Sequence, residues 1–367
     1  MGMVGGGPGS MIGDVHRITA EATGKAQLVC GVFSSDFNKS KVKGKEIGLS
    51  ENRVYIDIDE MLVKESKLPK EDRMDFLIIA TPNYLHVSAA IKALESGFHV
   101  MCDKPLALNL EEARKLEEVT KRTNLKFGMT YTYRGYSVIQ EIRNQVDKGV
   151  IGRLRKVMID YSQGWLSELI EEEGQKQALW RTDPKLSGAG GTIADIGTHA
   201  FNLAEYVAGS KIHELCALVS TLVPKRKIDD DANVLLKFAD GATGTLSASQ
   251  VCTGEDNFLS VKIYGDKGGL LWSHEQPNNI TLKLNNEQQL IKVNENDIDL
   301  NKVAKPLVNI HAESFLKGFI NLYSSFIDFI ETGKSSINVP NIEDGVRGML
   351  FIDKAIESNE KKKWVVL

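Results

Sequence analysis

The strongest constraint on how this chain can fold is a rhythm in its first third. Short, uninterrupted apolar runs alternate with stretches whose apolar residues recur at helical spacing. "QLVCGVFSSD", "DFLIIATP", "HVMCDKP" and "LKFGMTY" are apolar runs bounded by polar residues, as strands buried on both faces should be. Ile12, Val15 and Ile18, then Leu85 to Glu95, then Leu110 to Lys121, carry the intervening helical pattern. Strands alternating with helices of this length predict βαβ units, a parallel sheet and a doubly wound α/β domain over residues 1–125.

From about residue 153 the texture changes. "RLRKVMIDYSQGW", "ELCALVSTLV", "ANVLLKFADGATGTLSASQV", "FLSVKIYGDKGGLLWS" and "ITLKLNN" read as longer, alternating strands. Asp240-Gly241 and Gly265-Asp266-Lys267-Gly268 are expected to supply positive-φ hairpin positions. Residues 126–367 are therefore expected to form an α+β domain around a large, mostly antiparallel open sheet. Two late helices, roughly His311 to Thr332 and Ile342 to Ser358, should complete that domain and cover one face. The charged runs at 171–173 and 361–363 read as solvated surface.

Composition narrows the function class. A formal net charge of -4 argues against a broad electrostatic footprint for nucleic acid or an anionic membrane, and no apolar stretch reaches the roughly 18 residues of a membrane span. With no basic segment leading into an apolar signal core, the expected address is cytoplasmic and the expected ligand a small molecule. Cys30, Cys102, Cys216 and Cys252 are scattered, which fits reduced core residues and neither a zinc site nor a disulfide framework.

The opening "GGGPGSMIG" follows a short strand and precedes a helix, the context in which glycines let a pyrophosphate approach backbone N–H groups. Gly5 and Gly7 fit the first two positions of a dinucleotide turn. Gly13 arrives only after an insertion of Pro8, Gly9 and Ser10. Gly9, Ser10, Met11 and Ile12 complete the candidate cradle, a glycine-rich surface turn being the plainer alternative. At the end of the second strand Ser34 and Ser35 stand where an acidic residue would hold a ribose, and Asp36, Lys39, Lys41, Lys43 and Lys45 follow. The cofactor is accordingly NAD or NADP, with NAD preferred. Thr81, Pro82 and Asn83 end one strand and Asp103, Lys104 and Pro105 the next, which places them, with His86 just beyond, where open α/β sheets bind ligands.

With "DKPLALN" and "GGTIADIGTHAFNL" both present, the chain resembles the Gfo/Idh/MocA family, the glucose-fructose oxidoreductase and inositol dehydrogenase group. The resemblance covers essentially the whole chain and rests also on "GGGPGSMIGDVH", "ATPNYLH" and "WRTDPKLSGAGGTIADIGTHAFNL". It implies an N-terminal Rossmann domain, a C-terminal domain whose open sheet makes oligomer contacts, and hydride transfer between NAD(P) and a sugar or cyclitol. Lys104, Asp195 and His199 match the family's catalytic trio. Their chemistry agrees: residues four apart share a helix face, an imidazole is a suitable base near neutral pH, and an ammonium steadies alkoxide charge. A core histidine with a buried carboxylate partner is the competing reading. Tyr131, Tyr133, Trp165, Trp180, Arg181 and His311 are candidate substrate contacts beside Asp195 and His199, and no metal is expected. The chain departs from the family in "DKP" for the commoner Glu-Lys-Pro, and in "TYTYRG" for an asparagine-histidine-arginine type run. The rival functions are an NAD-dependent glycosidase working by transient oxidation and elimination, and a non-catalytic dinucleotide sensor. A homo-oligomer, dimer or tetramer, is expected from the exposed sheet face.

Overall fold

The computed structural model describes residues 1–294, 298–308 and 312–367. From the N-terminus the chain forms β1 (Gly2–Gly5), α1 (Met11–Ala22), β2 (Cys30–Val32), α2 (Phe37–Glu46), α3 (Ile58–Glu65), β3 (Phe76–Ala80), α4 (His86–Glu95), β4 (His99–Cys102), α5 (Leu110–Thr123) and β5 (Phe127–Met129). The five strands are parallel and lie in the order β2-β1-β3-β4-β5. This is the Rossmann-like arrangement that the alternation requires. Every residue of β3 is buried, because helices cover both faces of such a sheet. The chain leaves β1 toward β2 on one side and returns to β3 on the other, so the β1/β3 boundary is the topological switch point where ligands of such sheets bind.

The chain continues through α6 (Ser137–Asp147), β6 (Leu154–Ser162), α7 (Lys176–Arg181), α8 (Pro184–Ser187), a π-helical turn at Ile193–Gly197 and α9 (Thr198–Ala208). Strands β7 (Ile212–Ser220), β8 (Asp231–Phe238), β9 (Thr243–Ser249), β10 (Phe258–Gly265), β11 (Gly268–Ser273), β12 (Asn279–Leu284) and β13 (Glu287–Lys292) follow. Then come α10 (Leu300–Val303), α11 (Glu313–Thr332), α12 (Ile342–Lys361) and β14 (Val365–Val366). The second sheet has nine strands in the order β13-β12-β11-β10-β6-β9-β8-β7-β14, antiparallel except for the β6/β9 pair. Its strands alternate as expected: Ala232, Val234, Leu236 and Phe238 of β8 are buried, while Asn233, Leu235 and Lys237 face outward. The sequence pattern missed β13, "EQQLIK", which is almost wholly exposed and carries no alternation to find.

Three expectations need correction. The chain does not divide at a single cut near 125. One compact unit comprises Met1–Ala107, Glu111–Gly135 and Asn296–Val346, and the other Leu108–Leu110, Tyr136–Glu295 and Arg347–Leu367. Secondly, α11 completes the unit of the five-stranded sheet and not the open-sheet domain. Its buried face packs on α1, where Phe319 meets the His16 ring edge-on, and Phe326 meets Phe76 of β3 in the same way. Only the later part of α12 serves the second unit, stacking Phe351 on Phe201 with ring centroids 4.5 Å apart. Thirdly, Gly241 takes the positive φ its hairpin needs, 89°, but Gly265 and Gly268 do not take the left-handed region. They are glycines for room: a Cβ on Gly265 would strike the Ile151 carbonyl and one on Gly268 the Lys283 carbonyl. All four cysteines are free thiols, and among the described residues no helix is long and apolar enough to cross a membrane.

Candidate active site

In the first unit, the turn after β1 is built by glycines in conformations other residues resist. Gly5, Gly6 and Gly9 have φ of 95°, 74° and 76°. A Cβ on Gly5 would strike the Ala80 carbonyl at the end of β3, and one on Gly7 the Phe33 carbonyl beyond β2. Gly13 lies inside α1 against the Cα of Gly6, so the late third glycine does the close helix packing that the motif needs, in spite of the insertion. Ser10 caps α1 by accepting from the Gly13 N–H at 3.2 Å. Met11 opens the helix, and Ile12 turns its side chain against the core, which leaves its backbone as the part a phosphate can meet. Positive-φ glycines at a helix start, at the switch point, fit a dinucleotide pyrophosphate.

Beyond β2, Ser34 is half-buried and Ser35 exposed. Asp36 is the N-cap of α2, accepting from Asn38 N at 2.9 Å and Lys39 N at 3.3 Å. The lysine-rich face is less uniform than expected. Lys43 is buried and paired with Asp14 at 3.0 Å and Glu46 at 3.1 Å, whereas Lys39, Lys41 and Lys45 are exposed.

The ends of β3 and β4 are tied together. His86 is buried, with Nδ1 2.8 Å from the Pro105 carbonyl and Nε2 2.8 Å from the Thr81 carbonyl, so it braces the two strand ends. Burial lowers its pKa. Asn83 is buried beside it, Pro82 is half-buried, and the Thr81 hydroxyl is buried without a hydrogen-bond partner. Asp103 accepts from the Lys104 N–H at 2.9 Å and from the Thr130 hydroxyl at 2.5 Å. Burial opposes its ionisation, yet His16, Lys104 and Thr130 outweigh that and hold its carboxyl below the usual carboxylate range. His16, fully buried in α1, sets Nε2 3.8 Å from Asp103 and Nδ1 2.5 Å from the Tyr323 hydroxyl. Neither His16 nor Tyr323 was a candidate, since their pairing joins positions 307 residues apart. Lys104 itself is half-buried. Tyr131 and Tyr133, beyond β5, are 2% and 4% exposed, as core residues are.

In the second unit, Asp195 lies in the π-helical turn and His199 near the start of α9. The two still address one patch of sheet. Asp195 Oδ2 accepts from Gln250 Nε2 at 2.9 Å, just past β9, and the His199 ring lies 6.4 Å from that of Tyr161 on the adjacent β6. A π turn is a frequent mark of functional sites. Arg181 Nε is 3.6 Å from Asp195 Oδ2, and its guanidinium stacks 4.2 Å over Trp180. Trp165 donates to Gln163 Oε1 at 3.0 Å. Arg181, Asp195 and Trp165 therefore belong to one neighbourhood, with Trp180 at its edge. His311 lies outside the described residues.

Asp229 was not a candidate, yet it starts this segment. Its carboxylate accepts from Gly191 N at 2.6 Å and Ile193 N at 2.8 Å, and its carbonyl from Thr192 N at 3.0 Å. One residue thus satisfies three successive N–H groups at a helix start. Burial pushes its pKa up to about 6, against those hydrogen bonds. Since the folded protein then holds this proton more tightly than the unfolded chain, the stability from this group is full below about pH 4 and is lost as pH rises through 6, by about 3 kcal/mol in all. Urea unfolding of wild type and Asp229→Asn at pH 4.5 and 7.5 should show that component only in the wild type; equal pH slopes would refute it.

The segment from 166 to 171 is pinned by Arg226, whose side chain is fully buried. Its guanidinium donates to Glu171 at 2.9 and 3.0 Å, to Asp230 at 3.1 Å, and to the carbonyls of Leu166 and Glu168 at 2.7 and 2.8 Å. Glu171 is therefore not solvated surface; its pKa is lowered by Arg226 in spite of burial. Among the described residues no group of three or more His, Cys, Asp or Glu could hold a metal ion.

Comparison with known proteins matches a family model to each of two consecutive stretches. Residues 1–131 match the model of an oxidoreductase family with an NAD-binding Rossmann fold, and residues 139–271 that of the GFO/IDH/MocA C-terminal domain. A crystal structure of an oxidoreductase from Sinorhizobium meliloti is 36% identical, covers 99% of this chain and 98% of its own, and superposes with a TM-score of 0.85. An inositol dehydrogenase homolog from Azotobacter vinelandii, solved with NADH and myo-inositol, is 28% identical over 100% of this chain and 97% of its own, with a TM-score of 0.85. Levoglucosan dehydrogenase of Pseudarthrobacter phenanthrenivorans is 26% identical over 78% of each chain.

Proposed function

From the premise that this chain belongs to the Gfo/Idh/MocA family of NAD-binding oxidoreductases, we propose that it transfers a hydride between NAD and a secondary alcohol or ketone of a cyclitol or sugar. The observation that carries the reading is the convergence of Asp195 and His199 on one patch of sheet, with Arg181 beside the carboxylate. Relatives that act on levoglucosan, or hold myo-inositol, support the polyhydroxylated substrate class.

NAD supplies the hydride acceptor when bound. His199 takes the hydroxyl proton as the C–H bond breaks, and Asp195 binds a neighbouring hydroxyl or orients the imidazole. Lys104 steadies the negative charge that develops on the substrate oxygen. Trp165, Trp180 and Arg181 complete the surroundings, an aromatic face suiting the C–H face of a ring and a guanidinium its hydroxyls. The proposal includes a homo-oligomer. Leu218, Leu235 and Leu290 on the outer face of the nine-stranded sheet are 60%, 50% and 53% exposed, which supports a second copy as their cover.

The test has two steps: mass spectrometry of any nucleotide released on denaturation, then a screen of cyclitols and sugars with NAD and NADP, followed at 340 nm. Substrate-dependent reduced nucleotide establishes the reading and names the cofactor. Glycoside cleavage without net absorbance change overturns it in favour of internally recycled redox chemistry.

A further inference from the structure

The side chains behind Asp195 form a hydrogen-bond chain whose direction is fixed. Gln250 is 1% exposed, just beyond β9. It accepts from the Thr192 hydroxyl at 2.8 Å, and its NH₂ group donates to Gln163 Oε1 at 3.1 Å and to Asp195 Oδ2 at 2.9 Å. Gln163 Oε1 also accepts from the Trp165 indole at 3.0 Å, while Gln163 Nε2 donates to Asn257 Oδ1 at 2.8 Å. An indole N–H can only donate, so the atom facing it must be the Gln163 oxygen. That oxygen in turn requires the NH₂ face of Gln250, and an amide with its NH₂ toward Gln163 must also present NH₂ to Asp195. One indole therefore settles the orientation of two amides.

The backbones are as firmly held as the side chains. Gln250 N donates to the Asp230 carbonyl at 3.0 Å and its carbonyl accepts from Leu166 N at 3.0 Å. Gln163 N donates to the Ser249 carbonyl at 2.8 Å and its carbonyl accepts from Cys252 N at 2.9 Å. The main chain at both glutamines is thus fixed by the extensions of β6 and β9, and each side chain is held by its own amide hydrogen bonds.

We propose that Gln250 is a positioning residue for the reaction: locked by Trp165 through Gln163, it holds Asp195 as a hydrogen-bond acceptor in the one orientation that serves substrate or His199. This rests on the functional reading above, because it acts through Asp195. A glutamine that merely filled the core would also be buried and bonded. It would not be coupled to Asp195 in turnover.

The deciding experiment is a double-mutant cycle with Gln250→Leu, Asp195→Asn and their combination, using the substrate identified by the screen. Gln250→Leu should lower kcat by roughly 10²-fold, the scale of a small misplacement of a reacting group, with KM for NAD within about two-fold of wild type. In the combined variant kcat should be no lower than in Asp195→Asn alone, because the loss from Gln250 is already contained in it. Losses that multiply would overturn the proposal, as would normal kcat in Gln250→Leu. If Gln250→Leu fails to fold, Gln163→Leu replaces it in the cycle, with a smaller loss that Asp195→Asn should likewise absorb. A wild type inert toward every cyclitol and sugar is a different failure, which removes the functional reading and this inference with it.

Discussion

His199→Ala should lower kcat by roughly 10²–10⁴-fold while nucleotide affinity stays within about two-fold of wild type. The split follows from where the residue lies. His199 belongs to the unit of the nine-stranded sheet, near the start of α9 and beside Tyr161, whereas the glycine turn that fits the pyrophosphate belongs to the five-stranded unit. On the proposed mechanism, loss of the imidazole removes the acceptor for the hydroxyl proton and leaves the glycine turn of Gly5, Gly7 and Gly9 untouched. Steady-state rates at 340 nm, set beside a fluorescence titration with NADH, read the two effects separately. Near-normal turnover would sink the assignment of His199 as base and leave it a packing residue.

The second large effect is one of stability. Arg226→Met should destabilise the protein by about 3–5 kcal/mol, as removal of one partner from a buried ion pair usually does. The cost lies in what is left behind. Asp230, with a fully buried side chain, would keep only the N–H groups of Leu222 and Val223 at 2.7 and 3.0 Å, and Glu171 would lose both of its contacts to the guanidinium. The carbonyls of Leu166 and Glu168 would lose their donors as well. Denaturant unfolding measures the loss, and adding Asp230→Asn to the variant should return part of it by removing the stranded charge. A change below about 1 kcal/mol would show that Arg226 is replaceable.

What could be read in the sequence, and what could not, follows the range of the interactions. The five-stranded sheet was legible because strands buried on both faces announce themselves as unbroken apolar runs, and β3, "FLIIA", is the clearest of them. The open sheet was legible through alternation, and where alternation was absent, as in β13, so was the signal. Lys104, Asp195 and His199 stood out because their neighbours form recognisable motifs, although the π turn around Asp195 has no such mark. Asp229, Arg226 and Gln250 were invisible. Each acts on a partner distant along the chain: Asp229 on Gly191, Arg226 on Glu171, Gln250 on Asp195. Nothing in "KRKIDDDAN" distinguishes the aspartate that starts the α9 segment from the one that pairs with Arg226. Likewise, the apolar stripe of α11 announced that one face is buried, and not that α1 is what buries it.

That last feature bears on how the molecule is made. The core of the five-stranded unit contains Met1, Met3, Val15, Phe76 and Ile78 together with Leu316, Phe319, Phe326 and Val339, so it draws on two stretches far apart in the sequence. A ribosome delivers the first set long before the second. While residues 136–295 are still being synthesised, α1 and β5 have no α11 to cover them: the His16 ring lacks Phe319 and Tyr323, and Gly128 lacks Phe326. The earlier-made part of this unit is thus finished only after the later one arrives, with apolar surface exposed during that interval and open to holdase chaperones. A fragment ending near residue 135, though it contains every strand of the five-stranded sheet, would be stranded permanently at that stage.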